Sequence, residues 1–495
     1  MTEPVRHVVV IGGGISGLAA AHRLAGRAAA VDLPLEVTLL EASERLGGWI
    51  RTESFAGRPV DFGPDSLLVR MPWARELARE VGMDDELVAP GEGGAFLLSR
   101  GKLRPLPAGI LAGLPGGPLP FVRSGLLGPL GLLRAGLDLI LPANAPAGDE
   151  SIGHLIRRRL GRQTLERVID PLLGGVHAGR CDDLSLAATA PQIAAAARAD
   201  RSLLRGLRKT APPVPAAGAP RAPVFMAPRG GMQPFAEAII RAIRDAGVKV
   251  RTGARVDAIE PGDNATLTLR LASGGVIEAD GVILAVPAAT AAGLIAPHAV
   301  TAASTLGALA YASVAHTALA YDPSSLPAEL PAGTGFLVPR PERRLMTACT
   351  FLDRKWPQRR AVAEEQGTGD DLAHAVVIKC STGRIDDARF ERLTDEDLVN
   401  ALHRELAEIL GLTAPPIASR VVRVSGGLPQ YAPGHPERIA AATTEVAEAL
   451  PALSLAGAAY RGASVPLCIR DGRAAADAQL IRLGLTAARD EIARS

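Results

Sequence analysis

The residues in this chain whose types and spacing most directly imply chemistry are Gly12, Gly14 and Gly17, with Gly13 between the first two, and Glu41. Glycine at the first place lets the chain turn sharply. At the second it admits backbone N–H groups to a pyrophosphate, and at the third it lets the next helix pack closely. An acid roughly 20 residues further on is placed to hold a ribose hydroxyl pair. These residues need a strand, a helix and a second strand to position them. Val8-Val9-Val10-Ile11 is apolar without alternation, the pattern of a parallel strand buried on both faces. Leu18 to Leu24 continues as a helix whose first turn, with Ile15 and Ser16 at its mouth, faces the phosphates. Val37-Thr38-Leu39-Leu40 is the second strand and ends on Glu41.

Length and composition bound the rest. At 495 residues the chain divides into two or three domains, and 47% hydrophobic with 21% charged residues is globular composition. A net charge of +2, with both signs spread along the chain, excludes a nucleic-acid footprint. Five of the 54 basic residues are lysine. Cys181, Cys349, Cys380 and Cys468 form no CxxC or Cys/His cluster, so neither a metal site nor a disulfide framework is expected. The first strand begins within eight residues, which leaves no room for a cleavable leader and predicts a cytoplasmic protein.

The patterning predicts an α/β protein with a discontinuous, Rossmann-like nucleotide-binding domain in three parts (1–71, 224–300 and 425–495), a helical segment over 72–208 and an α+β domain over 301–424. Within the segment 72–208, Trp73 to Val81 reads as an amphipathic helix and Phe96-Leu97-Leu98 with Gly101-Lys102 as a hairpin. Leu103 to Leu141, rich in Leu, Gly and Pro, is too broken for a membrane span. Two readings of it stand, the apolar wall of a ligand pocket or a patch dipping into one membrane leaflet. Ala211 to Pro223, with five prolines, reads as a linker. Leu453-Ser454-Leu455 followed by a glycine-rich turn and a helix from Val465 returns the chain to the nucleotide site with a second helix N-terminus.

Directly after Glu41, the run Ala42-Ser43-Glu44-Arg45-Leu46-Gly47-Gly48 resembles the extended dinucleotide signature of FAD-dependent oxidoreductases, which names FAD as the cofactor. Beyond it, Gly175-Val176-His177-Ala178-Gly179, Gly230-Gly231-Met232, Phe336-Leu337-Val338-Pro339, Leu428-Pro429-Gln430-Tyr431 and Leu455-Ala456-Gly457-Ala458 complete a resemblance to the oxygen-dependent porphyrinogen oxidases that covers nearly the whole chain. These enzymes aromatise protoporphyrinogen IX or coproporphyrinogen III in haem synthesis.

The resemblance implies FAD contacts at Gly12, Gly13, Gly14, Ile15, Ser16, Gly17, Glu41, Ala42, Arg45, Gly48 and Trp49. It implies further contacts at Gly63-Pro64-Asp65-Ser66, at Val256 through its backbone, and at Ala458 and Ala463-Ser464-Val465. It implies a six-electron oxidation of a porphyrinogen with O2 as acceptor and H2O2 as by-product. Such chemistry needs positioning more than a side-chain base, so His177 and His435 read as structural, and the Gly174 and Gly175 carbonyls are the groups that would steer pyrrole N–H groups. Two departures stand out. Mitochondrial-type members carry a propionate-pairing arginine where this chain has Ala95, and many carry a Trp near Val424-Ser425. Arg100, Lys102 and Arg104 supply distributed positive charge instead, which suits the four propionates of coproporphyrinogen III. Protoporphyrinogen IX is the alternative substrate. A flavin amine oxidase, a carotenoid-type desaturase and a non-catalytic porphyrin-binding flavoprotein are the rival classes, although Tyr460 lacks the second aromatic of an amine oxidase cage. A downstream haem-pathway enzyme and a membrane surface are the implied partners.

Overall fold

The computed structural model describes residues 4–30, 34–106, 110–111, 114–115, 122–142, 148–211, 223–328, 330–360 and 372–485. Its organising element is a five-stranded parallel sheet in the order Lys249–Arg251, Leu35–Leu40, Arg6–Ile11, Gly281–Leu284, Leu453–Leu455. Val8, Val9 and Val10 at its centre are fully buried, as the unbroken apolar run requires. Helices cover both faces. Ile15–Ala30, Gln233–Asp245 and Val465–Arg482 pack on one, and Ala288–Ile295, Val300–Gly307 and His435–Ala449 on the other. Strands from three distant stretches of chain build this one sheet, so the domain is discontinuous, as its sequence pattern indicates.

A second sheet has seven strands, in the order Ala418–Pro429, Tyr311–Tyr321, Val376–Thr382, Met346–Phe351, Gly335–Leu337, Phe96–Ser99, Lys102–Pro105. One face is covered by Asp395–Leu410, which lays Leu398, Leu402 and Leu406 into the core at helical spacing. That helix is bounded by Thr394, whose side chain caps the Asp397 N–H, and by Gly411 in the left-handed region.

Three boundaries differ from those read in the sequence. The hairpin Phe96–Pro105, assigned to the helical segment, closes the seven-stranded sheet through a parallel pairing of Phe96 with Phe336. The helix Val300–Gly307 packs with the nucleotide module, and the strand starting at Ala418 runs unbroken through position 424 to Pro429. Long-range strand pairing decides the first and third and helix packing the second, and local patterning reports neither. The linker positions 212–222 and the stretches 107–109, 112–113, 116–121 and 143–147 lie outside the described residues.

The helical segment is stitched around one buried carboxylate. Asp138 accepts from Arg159 Nε at 2.6 Å, Ser202 Oγ at 2.7 Å, and the Leu203 and Leu204 N–H groups at 3.2 and 3.0 Å. No helix among the described residues is long and apolar enough to cross a membrane. The helix Pro129–Gly136 turns Gly131 and Ala135 inward, while Leu130 and Leu133 on it and Leu137 and Ile140 in the turn after it stand exposed.

Candidate active site

The glycines form an open cradle. Gly12 has φ +107°, and a Cβ there would collide with the Ala285 carbonyl. At Gly17 a Cβ would collide with the Gly12 carbonyl, so the helix can start on the turn only because this residue has no side chain. Gly14 differs: a Cβ there meets no protein atom within 4 Å, and a Cβ on Gly48 would lie 3.1 Å from the Gly14 Cα. The second glycine therefore faces open space, as a backbone approached by a ligand should.

Glu41 Oε2 accepts the Gly13 N–H at 2.6 Å, while Oε1 accepts the Ser43 N–H and Oγ at 2.9 and 2.8 Å. The carboxylate is held at the strand end with lone pairs left for ribose hydroxyls. Ala42, Arg45, Gly48 and Trp49 are exposed around the same opening, Trp49 at 51%. Arg45 acts inside the loop: its guanidinium donates to the carbonyls of Ile50 at 2.8 Å, Leu46 at 3.2 Å and Gly48. Such a guanidinium holds the Gly47–Gly48 turn in place. Val256 starts a strand just beyond Ala254, whose N–H bonds the Glu41 carbonyl at 2.8 Å.

Two helix N-termini meet here. Ile15–Ala30 and Val465–Arg482 both lack an acid in the first turn, and a Cβ on Gly472 would collide with the Ser16 carbonyl, so the start of the first helix packs against the second just past its second turn. Their positive ends are not neutralised by side chains. Ser464, the residue before the second helix, does not cap it, and its buried Oγ has no hydrogen-bond partner among the described residues. Asp471 fastens the preceding turn, accepting the Gly457 N–H at 2.9 Å and Arg461 at 2.7 Å. An open glycine edge, two bare helix N-termini and an orphaned hydroxyl at Ser464 fit a dinucleotide. Gly63 completes the rim; a Cβ there would collide with the Trp49 carbonyl, which binds the Gly63-Pro64-Asp65-Ser66 turn to Trp49.

His435 and Tyr431 tie the C-terminal turn in place. Tyr431 Oη donates to the Ala458 carbonyl, and His435 Nε2 lies 3.1 Å from the Tyr460 carbonyl. Tyr460 and Cys468 are buried, and burial pushes the Cys468 thiol up to about 12. His177 is edge-on to Tyr431 with ring centroids 5.7 Å apart, and burial lowers it to about 4. It is neutral at physiological pH.

Gly174 ends a stretch of π-helix from Leu165, unwound where Pro171 lacks an N–H. Its carbonyl accepts from the His177 and Gly179 N–H groups, which occupies both lone pairs, whereas that of Gly175 accepts from Ala178 and keeps one for a further donor. Arg340 braces this turn, bonding Asp170 Oδ2 and the Gly179 carbonyl at 2.8 and 2.7 Å. The structure draws Arg100 and Arg104 to the corner Gly125–Gly128, where the buried Arg104 Nε has no hydrogen-bond partner among the described residues. Arg167, absent from the sequence reading, joins them: it donates to the Leu126 carbonyl at 3.4 Å, and burial and then Arg100 lower its pKa. Nothing in the sequence separates it from the other arginines. Lys102 is exposed and has no ion pair among the described residues.

This glycine cradle and two-helix site define a flavin-dependent oxidoreductase, and residues 15–480 match the family described as flavin containing amine oxidoreductase, to which the chain belongs. Within it, the chain is 35% identical to coproporphyrinogen III oxidase of Bacillus subtilis (strain 168), covering 96% of this chain and 98% of that one. It is 31% identical to protoporphyrinogen oxidase of Bos taurus, over 95% and 98%. A solved structure from Exiguobacterium sp. 255-15, provisionally assigned as a protoporphyrinogen oxidase, superposes with a TM-score of 0.82 at 30% identity, over 96% and 99% of the two chains. The protein is an oxidoreductase that uses a flavin.

Proposed function

We propose that this chain oxidises coproporphyrinogen III to coproporphyrin III, with FAD as cofactor and O2 as terminal acceptor. The observation that carries the reading is the end-to-end likeness to coproporphyrinogen III oxidases. FAD when bound supplies hydride acceptance and passes the electrons to O2, releasing peroxide. The chain's part is to bind and orient. Gly12 to Gly17 and the N-terminus of Ile15–Ala30 receive the pyrophosphate, Glu41 the ribose, Val256 the adenine side, and Gly63 to Ser66 with Ala458 and Ala463 to Val465 the ring. Arg100, Arg104 and Arg167 answer the substrate's carboxylates, and the distributed charge favours the tetra-acid over protoporphyrinogen IX.

The exposed apolar row Leu130, Leu133, Leu137 and Ile140 supports peripheral contact with a membrane from the cytoplasmic side. Sedimentation with anionic vesicles tests that contact; capture of a downstream haem-pathway enzyme instead would reassign the row. The reaction is tested by porphyrin fluorescence under air with each porphyrinogen. The reading expects a yellow protein absorbing near about 450 nm and the higher kcat/KM for coproporphyrinogen III. A colourless protein that gains no such absorbance with added FAD overturns it. A flavin left oxidised by porphyrinogen under nitrogen marks a binder rather than an oxidase.

A further inference from the structure

Lysine is scarce here, five residues among 54 basic ones, yet two of the five converge on one carboxylate. Lys355 Nζ lies 2.7 Å and Lys379 Nζ 3.5 Å from the same oxygen, Asp65 Oδ2. Lys379 is 5% exposed, in the middle of the strand Val376–Thr382, and donates to the Asp61 carbonyl at 2.9 Å. An arginine fork needs several acceptors in a plane, whereas two oxygens converging on a point suit an ammonium. Arginine serves this chain nearly everywhere else, so the choice of lysine at a buried site marks a demand for a compact charge.

The neighbours make the site net positive. Asp61 is already satisfied by Arg359 at 2.5 Å, Thr52 Oγ1 at 2.5 Å and the Met232 N–H at 2.9 Å. Three cations therefore face two carboxylates. Burial opposes ionisation of Asp65, but Lys355 and then Lys379 outweigh it and hold the carboxyl well below its ordinary range. His316 on the adjoining strand, with Nδ1 3.0 Å from Ser381 Oγ, is lowered to about 3 by burial and then by Lys379, and adds no charge. Asp65 belongs to the turn that the proposed function sets against the flavin ring. Alone, its carboxylate would oppose electron uptake there.

We propose that Lys379 is a positioning residue for the flavin: it fixes the Asp65 turn and, with Lys355, overcompensates the Asp65 charge so that the reduced, more negative cofactor is held more tightly than the oxidised one. The inference rests on the reading that FAD lies against Gly63 to Ser66. Charge in a low-dielectric site acts strongly on a neighbour whose own charge changes.

The test is the midpoint potential of the bound flavin, measured by dye equilibration in the holoenzyme and in K379M, K379R, K355M and D65N. K379M should lose about tenfold in reduced-over-oxidised binding, a fall of about 30 mV for a two-electron couple. K379R should recover most of it, K355M should fall less because Lys355 is more exposed, and D65N should move the potential upward. Should K379M fail to fold, the upward shift in D65N decides. Unchanged potentials in K379M and D65N, whatever their melting temperatures, reduce the cluster to a structural ion pair and overturn the proposal. Absence of flavin from the unsubstituted protein overturns the cofactor reading itself, which separates the two failures.

Discussion

The nucleotide cradle and the arginine corner are built on opposite principles. In the cradle, missing side chains do the work: Gly12 and Gly17 are fixed by backbone collisions that no side chain can relieve, and Gly14 is open. In the corner, long side chains do it, with Arg100, Arg104 and Arg167 gathered at Gly125–Gly128 from a hairpin and a π-helix. Steric absence is local and leaves a signature in sequence. Convergence of arginines is tertiary and leaves none.

That difference is sharpest under substitution. Gly17→Ala places a methyl against the Gly12 carbonyl, where both partners are backbone. The helix must shift off the turn, and we expect at least about 2 kcal/mol of destabilisation together with isolation of the protein without flavin. Flavin absorbance per mole of purified protein checks it. A G17A protein that is fully yellow and equally stable would mean that the cradle is as adaptable as the corner.

How much could be read in advance follows the same line. The Val8–Ile11 strand, the helix after it and Glu41 were legible because burial on both faces and the glycine spacing are written within some thirty consecutive residues. The Asp395–Leu410 helix carries local marks of the same kind, an acidic first turn and a closing Gly411. The hairpin Phe96–Pro105 was legible as a hairpin but not as the edge of a sheet whose next strand lies beyond residue 330. Pro171 in an otherwise helical run was the available sign of the π-helix. Arg167 had no sign at all, since only its carbonyl partner and its nearness to Arg100 distinguish it.

The helical segment that carries the corner has its own keystone. Asp138→Ala removes the acceptor of four hydrogen bonds and leaves Arg159, 4% exposed, without its carboxylate. We expect a loss of about 3–5 kcal/mol, seen as a lower denaturation midpoint, while the cradle in the folded fraction still binds flavin. Loss of flavin in step with the helical segment would show that the two regions fold as one unit. A smaller effect belongs to the corner itself. Arg167→Ala should raise KM for coproporphyrinogen III about tenfold, near the ~1.4 kcal/mol of one charge-assisted contact, and leave the flavin spectrum unchanged. A fall in kcat at constant KM would place Arg167 away from the substrate carboxylates.

The smallest expected effect separates structural from chemical histidines at the seam between the two regions. His177 is half-buried beside Tyr431, and burial lowers it to about 4. Its folded value is therefore below the unfolded value of about 6.5. Above pH 6.5 both states carry it neutral and it costs nothing. As the pH falls toward 4 the unfolded chain takes up a proton that the fold refuses, so stability is lost through that window. Between pH 7.5 and 5.5 the loss amounts to about 1 kcal/mol. His177→Gln keeps a polar side chain of similar reach and removes the titration, so its denaturation midpoint should fall less over this range than that of the unsubstituted protein. The pH profile of turnover should change in neither shape nor optimum, because a group that stays neutral in the fold throughout that window adds no limb to it. If the pH profile of kcat/KM instead loses a limb in His177→Gln, the imidazole takes part in the proton traffic of the reaction, and the turn from Gly174 to Gly179 acts through a side chain as well as through its carbonyls.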